Sequence, residues 1–173
     1  MQEPRSGDSR GNVGRASVRA DRLHPEPCSN LPFQLPHKLK FSVLPERLAV
    51  CRAASRAQLP EAALEGRFCC VVRTPDECSL VCEEGLLGQD RQGLVAEGGW
   101  MALKLEGPFP FAMTGVLASF VQPLAEAEIP IFAISTFDTD YVLVKSEDLD
   151  AALQALSAAG HMKIDERDSQ GLS

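Results

Sequence analysis

The apolar and polar positions change pattern several times along this chain, and each change predicts an element. Residues 1–36 hold no sustained apolar period; Gly, Ser, Arg and Pro dominate, as in a flexible tail. At residues 38–44, Leu39, Phe41 and Val43 alternate with Lys38, Lys40 and Ser42, the pattern of a half-buried strand. Pro45-Glu46 predicts a turn into a second short strand at 48–51. Residues 59–65, with Pro60 near the start, predict about two helical turns. The apolar run 68–72 predicts a buried strand, and Thr74-Pro75-Asp76-Glu77 a turn to its hairpin partner at 78–82. Residues 83–99 are Gly-rich and read as irregular, with one helical turn at 84–87.

The second half is more regular. Residues 100–105 form a strand, and Gly107-Pro108-Phe109-Pro110 a loop, because two prolines exclude helix and central strand. Thr114 is placed to cap a helix over 115–127, with Val116, Phe120 and Leu124 on its buried stripe. Residues 129–134 are apolar at nearly every position, which predicts a strand covered on both faces. A polar turn, Ser135 to Asp140, leads into the β-branched and aromatic strand 141–144. Ser146 is placed to cap a second helix, Gly160 to end it, and residues 162–164 to close the sheet as an edge strand.

From Trp100 the order is strand, helix, strand, strand, helix, strand: a ferredoxin-like βαββαβ module, a four-stranded antiparallel sheet with two helices on one face. The first half offers a shortened version. The expected fold class is therefore α+β, two tandem ferredoxin-like modules with the first abbreviated. The boundaries are a tail at 1–36, a first module at 37–97, a second at 98–165 and a flexible end at 166–173.

Charge and composition narrow the function. The 173-residue chain is 45% hydrophobic and carries −7 at pH 7. Five arginines against four carboxylates in residues 1–36 leave the remainder at −8. Such a body does not attract a phosphate backbone, so nucleic acid is not an expected partner. No apolar run approaches the roughly 20 residues that span a membrane, and the N-terminus lacks a signal-peptide core. A cytoplasmic protein is expected. Cys69 and Cys70 are adjacent and point to opposite faces; Cys78 and Cys82 stand about 13 Å apart along a strand, beyond bridging reach. With no CxxC and scattered histidines, no metal or cofactor is expected, and the cysteines read as small buried hydrophobes.

The stretch Arg67-Phe68-Cys69-Cys70-Val71-Val72-Arg73-Thr74-Pro75-Asp76-Glu77-Cys78-Ser79-Leu80-Val81-Cys82 resembles the first-module hairpin of tandem ACT-domain proteins of the CASTOR arginine-sensor type. The phrase from Val121-Gln122-Pro123-Leu124 through Ser135-Thr136-Phe137-Asp138-Thr139-Asp140 to Val144 resembles the same family's second-module signature. The resemblance covers residues 38–164. It implies an ACT-like fold and a regulatory, non-catalytic protein that binds a small amino acid where modules meet and forms a homodimer. It further implies a site from Met113, Thr114, Gly115 and Val116 at the start of the first helix, residues 129–132 on the second strand with Pro130 and Ile131 among them, and Asp140 in the turn; Asp138 beside it is a further candidate.

Elementary chemistry agrees with that placement. A helix N-terminus offers unpaired N–H groups to an α-carboxylate, and a carboxylate holds an α-ammonium through charge-assisted hydrogen bonds. Pro130 lacks an N–H, so one strand-edge donor is missing. Catalysis is not expected. Asp138 and Asp140 could serve as acid and base, but no electrophile-stabilising group accompanies them. The competing reading is a ligand-free interaction module that pairs through its sheet edge. Asp138 and Asp140 can equally be turn formers, and Phe137 a plug in a core or interface.

Overall fold

The computed structural model describes residues 38–88 and 93–165, which belong to the compact unit Gln34–Ser173. The expected tail at 1–36 and flexible end at 166–173 lie outside the described residues. The elements are β1 (Lys40–Ala53), α1 (Glu61–Leu64), β2 (Cys69–Arg73), β3 (Cys78–Glu83), a 3-10 turn (Glu84–Leu86), β4 (Val95–Leu105), α2 (Val116–Glu126), β5 (Ile131–Ser135), β6 (Asp140–Lys145), α3 (Leu149–Ala158) and β7 (Met162–Lys163). One sheet contains all the strands in the order β2-β3-β1-β4-β6-β5, with β7 beside the start of β1. The class is α+β.

Pro45 does not end a strand. β1 is continuous over 14 residues, and its pairing with β4 steps from Val43↔Leu103 to Arg47↔Met101. Leu44-Pro45-Glu46 therefore bulges out of the ladder, and the missing N–H of Pro45 falls where no ladder bond is needed. β4 likewise begins at Val95, inside the segment read as irregular, and absorbs its glycines in a second register shift around Gly99, which has φ 76°. A left-handed bulge residue without a Cβ is what such a shift requires.

The closing strand is also placed differently from the expectation. Phe41 and Val43 of β1 pair with Leu105 and Leu103, occupying the position beside β4 that β7 was expected to fill. β7 lies one strand further out and pairs parallel to β1 through Lys40↔Met162 and Phe41↔Lys163. The sheet is thus not purely antiparallel.

Odd and even positions of β1 divide the core. Leu39, Phe41 and Val43 pack with Leu103, Leu105, Phe120, Leu124, Val142, Val144, Ala152 and Leu156 beneath α2 and α3. Ala49, Cys51 and Ala53 pack with Ala63, Leu80, Cys82 and Leu94 beneath α1. Leu48 lies on the opposite face with Val81, Trp100, Ala102, Ile134 and Leu143, ringed by Phe68, Phe132 and Tyr141. β6 is central, so Val142, Leu143 and Val144 are all buried. β5 is not. It forms one edge of the sheet, and Ile131 is 37% exposed, so the strand expected to be covered on both faces is covered on one.

Neither α2 nor α3 starts at its expected hydroxyl cap. The residue before α2 is Gly115 at φ 80°, not Thr114, and Asp148 rather than Ser146 precedes α3; neither makes a side-chain cap bond. Ser146 Oγ instead accepts from Arg47 Nη2 at 3.4 Å. Gly160 ends α3 as expected. It has φ 88°, its N–H donates to Ser157 O, and the His161 N–H donates to Leu156 O.

Pro123, in the last turns of α2, has no N–H to give the Ser119 carbonyl. His161 supplies the missing donor: Nε2 lies 3.1 Å from Ser119 O, while Nδ1 accepts the Leu39 N–H at 3.2 Å. The buried ring is therefore neutral, with its proton on Nε2. It joins α2, β1 and the start of β7. Burial holds its pKa below the ordinary histidine value, opposed by the bond to Ser119 O. The unfolded ring takes up a proton below about pH 6.5, whereas the folded ring resists it. Stability is then full above that value and falls as pH drops towards the lowered folded value. Urea midpoints measured from about pH 7.5 to about pH 5 should fall, and His161→Gln should flatten that part of the slope.

Candidate functional site

The loop leaving β4 meets the β5–β6 hairpin at the end of the sheet. The turn Thr136–Thr139 closes on itself. The Thr136 N–H donates to Thr139 O at 2.8 Å, the Thr136 hydroxyl reaches the same carbonyl at 2.8 Å, and the Thr139 N–H returns to Thr136 Oγ1 at 3.3 Å. Two further bonds fasten this turn to the loop. The Phe109 N–H donates to Asp138 O at 2.9 Å, and the Thr139 hydroxyl to Leu105 O at 2.6 Å. Gly107 makes the approach possible, since a Cβ there would stand 2.4 Å from Asp138 O.

Between loop and turn lies a cleft of about 220 Å³. One wall is Phe109, Pro110, Phe111, Met113 and Val116; the other runs from Ser135 to Asp140. Two carboxylates, three hydroxyls and a cluster of apolar side chains thus line one small space. Ser135 Oγ donates to the Asp140 carboxylate across the last pair of the hairpin. That bond engages one carboxylate oxygen of Asp140. Val116 opens α2, and the first N–H groups of a helix have no intrahelical acceptors. A carboxylate beside a helix N-terminus is an arrangement able to hold an ammonium and a carboxylate together.

Of the residues expected from the sequence, Met113, Val116, Asp138 and Asp140 line this cleft together. Thr114 and Gly115 stand beside it in the loop without lining it. Pro130 and Ile131 lie at the other end of β5, about 13 Å along the strand from Ser135. The cleft does not bring them in. Phe109, Pro110, Phe111 and Thr139 were not singled out beforehand. Phe137 is no core plug: it is 76% exposed and meets Phe111, 79% exposed, edge to face at 5.0 Å. The doubled Pro-Phe in the loop and the lone aromatic in a polar turn were the available signals.

The cysteines divide by strand. Cys51, Cys78 and Cys82 are buried, as expected of small hydrophobes, but Cys69 is exposed on the edge strand β2. A hydrogen bond with the Cys51 thiol, then burial, push the Cys82 pKa far above the usual thiol range; burial raises Cys69 and Cys70. None of these three is poised as a thiolate nucleophile. Among the described residues no group of three or more His, Cys, Asp or Glu side chains is placed to hold a metal, and no helix is long and apolar enough to cross a membrane.

Comparison with known proteins places this architecture. The ACT-domain family profile matches residues 95–158, from the first residue of β4 to the last of α3. The human protein CASTOR3P is 30% identical over 131 residues, covering 69% of this chain and 80% of that protein. The cytosolic arginine sensor for mTORC1 subunit 1 of Bos taurus is 31% identical over 99 residues, which is 53% of this chain but 30% of the sensor. The chain thus spans less than a third of the length of that relative. Among solved structures, protein Atu0741 from Agobacterium tumefaciens superposes with a TM-score of 0.68 at 35% identity, over 75% of this chain and 95% of its own. With a relative matched over most of its length and an ACT-domain profile spanning β4 to α3, this chain belongs to the CASTOR-like ACT-domain proteins.

Proposed function

We propose that this chain is a regulatory, non-catalytic protein that binds a small amino acid in the cleft between Met113 and Asp140. The observation that carries the reading is the meeting of Asp140, anchored by Ser135, and the opening turn of α2, inside the segment matched by the ACT domain. Asp140 takes the α-ammonium, the N–H groups at Val116 the α-carboxylate, and Met113, Phe111 and Phe137 border the ligand's side chain. A relative named as an arginine sensor supports the amino-acid class. In this reading the chain is two tandem ACT-like modules, 37–97 abbreviated and 98–165 complete, acting in the cytosol as a homodimer. Pro130 and Ile131 reach a ligand only at such a dimer contact, through the exposed edge of β5.

A thermal-shift screen of the standard L-amino acids tests the reading. Saturating ligand at a hundred times Kd adds about 2.7 kcal/mol to native stability. Calorimetry of Asp140→Asn with the amino acid found should then show affinity reduced by about 10- to 100-fold. Asparagine preserves an acceptor for Ser135, so folding should be little changed. Equal affinities would leave Asp140 as a turn former only. The exposed Ile131 on β5, an edge strand among the described residues, favours a second reading, a ligand-free interaction module. A concentration-dependent dimer in light scattering with no thermal shift from any amino acid would select it.

A further inference from the structure

The two hairpins of this chain are built alike. In β2–β3 the Thr74 N–H donates to Glu77 O at 2.9 Å, and Thr74 Oγ1 accepts the Glu77 N–H at 3.2 Å. These are the bonds that Thr136 makes with Thr139 in β5–β6. Each turn carries an aspartate at its third position, Asp76 and Asp138. The neighbouring strand repeats as well. Arg52 of β1 pairs with Ser79, the sixth residue counted from Thr74, and Lys104 of β4 pairs with Tyr141, the sixth from Thr136. A basic side chain on a strand and an aspartate in a turn thus recur in the same relation at two places on the sheet.

Each place has a cleft. The one at Lys104 and Asp138 measures about 290 Å³; the one at Arg52, Asp76 and Glu77 about 330 Å³. The second is within the range of small-molecule pockets. Its walls are pinned, because Arg73 donates to Ser55 O and, at 3.3 Å, to Ala57 O, holding the loop after β1 against the hairpin. Its charges remain available. Arg52 and Asp76 make no ion pair among the described residues, and Glu77 commits Oε1 to the Ser79 hydroxyl at 3.1 Å.

We propose that the cleft bounded by Arg52, Asp76 and Glu77 is a second small-molecule site, taking an α-amino acid. The Arg52 guanidinium pairs in a fork with the α-carboxylate, and Asp76 with Glu77 receives the α-ammonium. Two carboxylates against one guanidinium select neutral or cationic side chains over acidic ones. The site shares no residue with the Met113–Asp140 cleft, so either can fail without the other.

Amide NMR of the full chain, titrated with each standard L-amino acid, tests this. The expected result is saturable movement of the Ala53, Ala54, Asp76 and Glu77 amides with at least one neutral or basic amino acid. Arg52→Gln and Asp76→Asn should each weaken that response about tenfold or more, leaving any response at Thr136–Asp140 unchanged. Asp140→Asn should do the converse. Arg52 and Asp76 are both exposed, and an unchanged amide dispersion verifies that the variants fold. The proposal is overturned if no amino acid moves the amides of the Arg52 cleft, or if their midpoint is the same in wild type, Arg52→Gln and Asp76→Asn. It also fails if both regions shift together in every variant, which would mean one site.

Discussion

Phe120→Ala should lower stability by about 3–5 kcal/mol, the range for truncating a fully buried aromatic. Phe120 is completely buried on α2 and meets Phe41 of β1 and the His161 ring edge to face, both at 5.2 Å. It therefore joins the helix, the strand that runs through the whole sheet and the histidine that completes the helix's own hydrogen bonds. An alanine would leave a cavity in the core cluster that also holds Leu124 and Leu156, and the ring contacts would be lost with the area. Urea unfolding at fixed pH measures the change, and the melting temperature should fall by roughly 10 °C or more. Val72→Ala on the exposed edge of β2 is the contrast, expected within about 0.5 kcal/mol of the native chain. A Phe120→Ala cost no larger than the Val72→Ala cost would mean that the helices do not carry this core.

Much of this core was legible in the sequence because it rests on periodicity. The alternation at Leu39, Phe41 and Val43 and the helical stripe of Val116, Phe120 and Leu124 each identify an element from one face's residues. What was not legible depends on pairing across the chain. Pro45 reads locally as a turn, and only the partner strand β4 converts it into a bulge. The place of β7 is decided by a strand more than a hundred residues earlier, which no local pattern reports. The run at 129–134 is apolar on both sides yet lies at an edge, since composition records what a strand could bury and not what the fold lays against it. The site divides in the same way. Met113, Val116, Asp138 and Asp140 meet because a loop and a turn adjoin one sheet end. Pro130 and Ile131 share the strand but lie at its other end. The duplicated threonine-aspartate turn was present in the sequence as Thr-Pro-Asp-Glu and Thr-Phe-Asp-Thr. Its meaning emerges only when Arg52 and Lys104 take equivalent places beside it.

Gly107→Val should damage both stability and the cleft, and by more than removing any one cleft side chain. The obstacle is backbone. A Cβ at 107 would lie 2.4 Å from Asp138 O and 3.2 Å from Thr139 Cβ, and a carbonyl in a hydrogen-bonded turn cannot swing aside as a flexible side chain does. Relief requires the loop and the turn to part, which breaks the Phe109 N–H bond to Asp138 O and the Thr139 hydroxyl bond to Leu105 O. Overpacking of this kind costs about 1–3 kcal/mol, and each lost hydrogen bond about 1 kcal/mol more, for a total of roughly 3–5 kcal/mol. The displaced turn carries Asp138 and Asp140 away from Val116, so binding in the Met113–Asp140 cleft should be lost even where the variant remains folded. The first hairpin is fastened independently through Arg73, and its amides should keep their native positions. Chemical denaturation and amide NMR of the variant separate these effects. Native stability, or native shifts at Thr136–Asp140, would show that the loop and turn do not hold each other in place.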